Sequence, residues 1–131
     1  VLTRNSRTDE TNSLSSRVEI AQAASADVFV SIHANSARSG GANGFEAYWY
    51  EPQSGALAQA ITAAVLESTG RGKGKTGYSS FGVIRQTDMP SVLLELGYLS
   101  NASDSAFFIQ PGAIDKYAAG IVDGIVSYFA Q

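Results

Sequence analysis

Two reactive side chains stand where reactive groups are costly to place. His33 is the only histidine among 131 residues. It lies near the end of the apolar run Asp27-Val28-Phe29-Val30-Ser31-Ile32-His33-Ala34-Asn35. Glu95 lies inside a second run, Ser91-Val92-Leu93-Leu94-Glu95-Leu96. A carboxylate among such neighbours costs several kcal/mol, on the order of 2–7 for a polar group, unless it is paired or protonated. Glu95 therefore reads either as half of a buried salt bridge, with Arg85 or Arg4 as partner, or as a general acid or base tuned upward by desolvation. His33 reads as a hydrogen-bonded structural residue or as a metal ligand. The second role gains weight because open α/β sheets bind ligands at the C-terminal ends of parallel strands. Asn35, just beyond it, can orient a ligand or substrate.

The elements that must position these groups follow from period and punctuation. Residues 5–12 are polar and turn-like. A helix starts at Asn12 or Ser13, either of which can cap it, and carries the stripe Leu14, Val18, Ala21 and Ala24. The strand through His33 places Val28, Val30 and Ile32 on one face and Phe29, Ser31 and His33 on the other. Its two apolar faces predict cover on both sides. Residues 36–44 form a loop, and Phe45–Tyr50 an aromatic strand. Ser54 is placed to cap a helix whose core face is Leu57, Ile61, Ala64 and Val65, with Gly70 as its stop. Residues 70–80 read as a basic loop and Phe81–Arg85 as a short strand. After Ser91–Leu96, Asn101 caps a short helix with Asp104 in its first turn. The last helix opens near Pro111, with a buried stripe of Ile114, Tyr117, Ala118, Ile121, Ile125 and Tyr128. Strands alternating with helices predict an α/β fold, a mainly parallel or mixed open sheet with helices on both faces. One domain, residues 1–131, is expected. The opening Val1-Leu2-Thr3-Arg4 reads as a strand end, so the domain is expected to be truncated at its N-terminus.

Composition narrows the function. Hydrophobic residues make up 44% and charged residues 16%, which suits a globular core. The net charge of -3 offers no basic field for nucleic acid. Without cysteine there is no disulfide, thiolate ligand or cysteine nucleophile. No apolar run has the roughly 18 residues that span a bilayer. The glycines of Gly72-Lys73-Gly74-Lys75-Thr76-Gly77 mimic a phosphate-binding pattern, but a helix precedes them where a strand is required. No serine nucleophile elbow is present; Gly77-Tyr78-Ser79-Ser80-Phe81 fails at its last position.

Several ordered motifs along the chain resemble the catalytic domain of the zinc-dependent N-acetylmuramoyl-L-alanine amidases of the third amidase class. Leu2-Thr3-Arg4 resembles that family's L-T-R strand. Asp9, Leu14 and Arg17 match its D-x4-L-x2-R spacing. Ala26-Asp27 through Ser31-Ile32-His33-Ala34-Asn35 is similar to its most recognisable segment, and Gly44-Phe45-Glu46 to the strand after it. Arg71-Gly72-Lys73, Phe81 and Val83-Ile84-Arg85 resemble R-G-x…F-x-V-L-R. Pro90 to Asn101, with Leu94-Glu95-Leu96-Gly97-Tyr98-Leu99-Ser100-Asn101, resembles P-x-V-L-x-E-x-G-F-x-S-N.

The resemblance implies a phosphorylase/hydrolase-like sheet and hydrolysis of the amide between N-acetylmuramic acid and L-alanine in peptidoglycan, outside the cytoplasm. It implies that His33 is one zinc ligand and Glu95 the catalytic glutamate. The family's other ligands, a histidine in D-P-G-H-G and a glutamate, precede its L-T-R strand. Glu10, Glu19 and Glu46 do not match that missing glutamate. The 131-residue chain is therefore expected to be inactive by itself and to bind Zn2+ weakly. Asn35 and Arg85 are candidate substrate-contacting residues, Arg85 alternatively being the partner of Glu95. Tyr48, Trp49 and Tyr50 can line a glycan groove or pack. A non-catalytic peptidoglycan-binding or regulatory module is the alternative, and another metal-dependent amidohydrolase a third.

Overall fold

The apolar runs and helical stripes resolve into a mixed sheet between two helical layers. The computed structural model describes residues 1–4 and 13–131. In chain order the elements are α1 (Leu14–Ala23), β1 (Phe29–Asn35), β2 (Phe45–Trp49), α2 (Ser54–Thr69), β3 (Gly74–Tyr78), α3 (Gly82–Arg85), β4 (Ser91–Tyr98), α4 (Ala102–Phe108) and α5 (Ala113–Phe129). The sheet order is β1-β4-β2-β3. β1 runs parallel to β4 and β2 parallel to β3, while β2 and β4 are antiparallel. The C-terminal ends of β1 and β4 thus meet the N-terminal ends of β2 and β3.

One face of the sheet packs Phe45, Ala47, Val92 and Leu94 against Leu57, Ile61 and Val65 of α2 and Tyr117 and Ile121 of α5. The opposite face packs Phe29 and Leu93 against Val18 and Ala21 of α1 and Val83 and Ile84 of α3. Truncating a core leucine such as Leu94 to alanine costs about 2–5 kcal/mol.

Helices α2 and α5 approach so closely that glycine is required. A Cβ on Gly124 would lie 2.4 Å from Ile61 Cα, and one on Gly120 2.7 Å from Val65 Cα. This corrects the expected stripe of the last helix. Its buried face is Ala113, Tyr117, Gly120, Ile121 and Gly124, whereas Ile114 is 58% exposed and Ala118 is exposed. The glycines bury backbone where hydrophobicity predicts side chains.

Other expectations also change. Phe81–Arg85 is no strand: residues 82–85 form one helical turn, a difference the short run Phe81–Ile84 hides because four apolar or small residues fit either period. The basic loop contains β3, which forms because β2 offers it a free edge. Ser54 does not cap α2. Its buried hydroxyl accepts the Ser91 N–H at 2.9 Å and fastens α2 to β4. Ser13 caps α1 by accepting the Ser16 N–H at 3.1 Å. Leu14 is half exposed and Ala24 lies past the helix end. Val1–Arg4 forms no strand. β1 is covered on only part of its length, and Ile32 is 54% exposed. The readings of residues 5–12, including Asp9, Glu10 and Asn12 as a cap, fall outside the described residues.

Candidate functional site

Strand register brings four polar residues into one row. His33 on β1 is the partner of Glu95 on β4, Glu95 of Glu46 on β2, and Glu46 of Lys75 on β3. Registered partners project from the same face, and adjacent strands lie about 4.8 Å apart, so the row crosses roughly 14 Å of sheet. It lies on the α1/α3 face, at the C-terminal ends of β1 and β4.

A bulge adds a fifth member. β1 passes from His33 to Asn35 in two residues while β4 passes from Glu95 to Tyr98 in three. The extra residue returns Tyr98 to the face of Glu95. Gly97 makes this possible with φ 156°, and its missing side chain leaves room for the Asp104 carboxylate, 3.0 Å from where a Cβ would sit. Asp104 is 2% exposed. It accepts the Gly44 N–H at 2.9 Å and the Tyr98 N–H at 2.8 Å, and it pairs with Arg71. Asn101 caps α4 as expected, accepting from Ser103 and Asp104. Asp104 therefore acts as a tie between the loop before β2, the bulge and the β3 side of the sheet.

The two carboxylates of the row stand in contrasting environments. Glu46, 4% exposed, accepts from Tyr48 Oη at 2.5 Å, Tyr98 Oη at 2.8 Å, Lys75 Nζ at 2.8 Å and Asn35 Nδ2 at 3.5 Å. Burial alone would raise its pKa. The hydrogen bonds from Lys75, Tyr48 and Tyr98 outweigh burial and hold it below the ordinary value. Burial, followed by the hydrogen bond to Glu46, pushes the phenols of Tyr48 and Tyr98 up to about 12, so both remain donors. Glu95 has no such support: its Oε2 is buried without a hydrogen-bond partner. Burial first, and the neighbouring Glu46 charge second, raise its pKa. One carboxylate is thus fixed as an anion and the other poised to exchange a proton, the division of labour of acid–base sites.

His33 Nε2 lies 2.8 Å from Ser31 Oγ, two residues back on the same face. Burial, then the charge of Arg17, lower its pKa and favour neutral imidazole, the form that ligates metals. A cavity of about 330 Å³ opens along the outer side of β1, lined by residues including Arg17, Ser31 and His33. Catalytic zinc takes three protein ligands. Among the described residues no group of three histidine, cysteine, aspartate or glutamate side chains is gathered to hold a metal. These residues therefore do not make a complete zinc centre.

Of the four candidates, His33, Glu95 and Asn35 come together, with Asn35 joining through Glu46. Arg85 does not. Its exposed guanidinium donates to Ser80 Oγ at 3.0 Å, and its charge is felt by Tyr78 at the far end of the sheet. This overturns its suggested pairing with Glu95. The aromatic residues divide. Tyr48 donates to Glu46 of the row and meets Phe81 edge-on at 5.4 Å. Trp49 and Tyr50 pack on Tyr78 at 5.7 and 5.5 Å. Glu46, Lys75 and Tyr98 were not singled out from the sequence. A carboxylate in the aromatic strand Phe45-Glu46-Ala47-Tyr48 is the same anomaly that marks Glu95, and it was the available signal.

Comparison with known proteins points one way. A family model described as N-acetylmuramoyl-L-alanine amidase matches residues 1–127. The N-acetylmuramoyl-L-alanine amidase LytC of Bacillus subtilis is 39% identical over 129 residues, covering 95% of this chain and 26% of LytC. The probable cell wall amidase LytH of Staphylococcus epidermidis is 38% identical over 108 residues, covering 80% of this chain and 36% of LytH. The chain thus spans about a third or less of these relatives' length. The catalytic domain of CwlV, an N-acetylmuramoyl-L-alanine amidase from Bacillus (Paenibacillus) polymyxa var. colistinus, superposes with a TM-score of 0.89 at 43% identity, covering 99% of this chain and 72% of that one.

Proposed function

The chain belongs to the N-acetylmuramoyl-L-alanine amidase family, and we propose that it carries the proton-transfer half of a peptidoglycan amidase site, acting outside the cytoplasm on the bond between N-acetylmuramic acid and L-alanine. The observation that carries this reading is Glu95: a carboxylate with a buried, unpartnered Oε2, raised pKa, and His33 as its neighbour in register. Amide hydrolysis needs a base to take a proton from water and an acid to give one to the departing amine. Glu95 performs both in turn, taking a proton from the attacking water and returning it to the nitrogen of L-alanine. Glu46 keeps its charge throughout, because its donors remain bound. Asn35, held by Glu46, would contact substrate, whereas Arg85 is engaged with Ser80.

His33 supplies one ligand of the zinc centre general to this family, in the neutral form that burial favours. Two further ligands would complete that centre, and the described residues do not gather them. No chemical step at the metal can be assigned to the described residues. No helix among the described residues is long and apolar enough to cross a membrane.

The test uses purified cell walls. Intact enzyme should release stem peptides with new L-alanine amino termini, and Glu95→Gln should lower the rate by about 10²–10⁴, the usual worth of acid–base catalysis. The 131-residue chain alone should release none. EDTA-sensitive release by that chain would overturn the incomplete-site reading, and an intact enzyme indifferent to Glu95→Gln would overturn the role of Glu95.

A further inference from the structure

One member of the cross-strand row has unused binding capacity. Lys75 gives one N–H to Glu46 at 2.8 Å, yet its side chain is 62% exposed. An ammonium carries three donors, so two remain beyond the one given to Glu46. Glu46 holds this ammonium in place by accepting from it while Tyr98 binds the same carboxylate oxygen. Beside it opens a cavity of about 250 Å³, lined by Asn43, Glu46, Lys73, Lys75 and Tyr98 among others. Lys73 adds a second positive charge at the rim, while the phenol of Tyr98 stays neutral and able to donate. The row therefore has polarity. His33 stands at one end, the two carboxylates in the middle, and an anion-accepting end lies at Lys75.

We propose that Lys75, anchored by Glu46, is a subsite for a carboxylate on the peptide arm of the substrate. The proposal rests on the amidase reading and adds a substrate feature to it. Lys75 lies two strand spacings from Glu95, about 10 Å at the backbone, and its ammonium leans back one strand toward Glu46. An extended peptide advances at most about 3.3–3.6 Å per residue. The carboxylate recognised is therefore carried by the first or second residue beyond the L-alanine whose amide is cut. A peptide running across the groove in this direction leaves the opposite side, by β1, to the sugar.

The probes are two synthetic N-acetylmuramoyl-L-alanyl peptides that differ only at the next residue, which bears a free α-carboxylate in one and the primary amide in the other. Binding to the 131-residue chain is followed by NMR, with Tyr98 and Lys75 amides as reporters. The carboxylate form should bind about tenfold or more tightly, the worth of a charge-assisted hydrogen bond. The preference should shrink with added salt. Lys75→Gln should abolish it while leaving affinity for the amide form unchanged, although the melting temperature falls as Glu46 loses its cationic partner. Lys75→Arg should retain part of it, and Glu95→Gln all of it. Equal binding of the two probes, a preference that survives Lys75→Gln, or no binding of either probe overturns the subsite. Failure of the intact enzyme to cleave either probe, with the binding preference present, sinks the amidase reading and leaves the subsite standing.

Discussion

Asp104 offers the sharpest test of how the site is held. Alanine there would strand three donors at once: the Gly44 and Tyr98 N–H groups and the Arg71 guanidinium. Each buried donor left unpaired costs about 1–3 kcal/mol, and removing one partner of a buried ion pair about 3–5. These losses share one relaxation and do not add, so Asp104→Ala should cost about 3–5 kcal/mol. That is a large part of the 5–15 kcal/mol typical of a domain. Asp104→Asn separates the contributions. Both backbone donors bond the same oxygen, Oδ2, and an asparagine can keep that oxygen as its carbonyl. Its NH₂ then faces Arg71, donor against donor. The asparagine variant should therefore lose about 1–3 kcal/mol, clearly less than alanine. Urea unfolding of the 131-residue chain followed by circular dichroism measures both, with an unchanged slope confirming that the native state is the one affected. Asp104→Ala within about 1 kcal/mol of wild type, or Asp104→Asn as damaging as alanine, would refute the hub.

Further outcomes follow from the same geometry. Gly124→Ala should destabilise by at least the 1–3 kcal/mol of an overpacked core, because its Cβ would meet backbone; a thermal melt unchanged from wild type would contradict the close approach of α2 and α5. Glu46 has a lowered pKa in the folded state, so its ionised form stabilises the fold above its ordinary value of 4.5 and that contribution disappears as pH falls through the folded value. The stability gap between wild type and Glu46→Gln should accordingly be widest near neutrality and close on acidification, as read from unfolding curves across pH 3–7. Glu95 has the opposite shift. Its contribution is present in acid and lost as pH rises through the raised value, so Glu95→Gln should become more stable than wild type toward neutral pH. A constant difference would remove the case for a strained carboxylate. Zinc titrated into the 131-residue chain should show only weak binding that His33→Ala abolishes; tight binding by calorimetry would reveal ligands beyond His33.

The parts of the site legible in the sequence are those whose anomaly is local. Glu95 and His33 interrupt apolar runs, and parallel strands present such residues at one end of a sheet. Glu46 interrupts an apolar run in the same way, but its role depends on an antiparallel register between β2 and β4 that no short stretch encodes. Lys75 and Tyr98 were hidden for related reasons: β3 is glycine-rich, with poor intrinsic strand preference, and the bulge breaks the alternation that assigns faces. The α/β layering was readable from alternating periods. The buried face of α5 was readable at Tyr117, Ile121, Ile125 and Tyr128 but not at Gly120 and Gly124, because glycine marks close backbone approach and contributes nothing to a hydrophobic stripe.

The bulge at Gly97 carries a last consequence. Upstream of it, β4 alternates in phase with β1; downstream, the alternation resumes one residue out of step. The facing of Tyr98, and with it one of the donors that fix Glu46, depends on the extra residue in this bulge. Substitution and deletion should then act in opposite senses. A β-branched residue at 97 favours regular strand geometry and would rotate Tyr98 out of the groove, although every group in the row is still encoded. Removing residue 97 entirely would leave Tyr98 two places from Glu95 and so on the correct face. For this strand, phase matters more than identity, and a change in length can be milder than a change in residue.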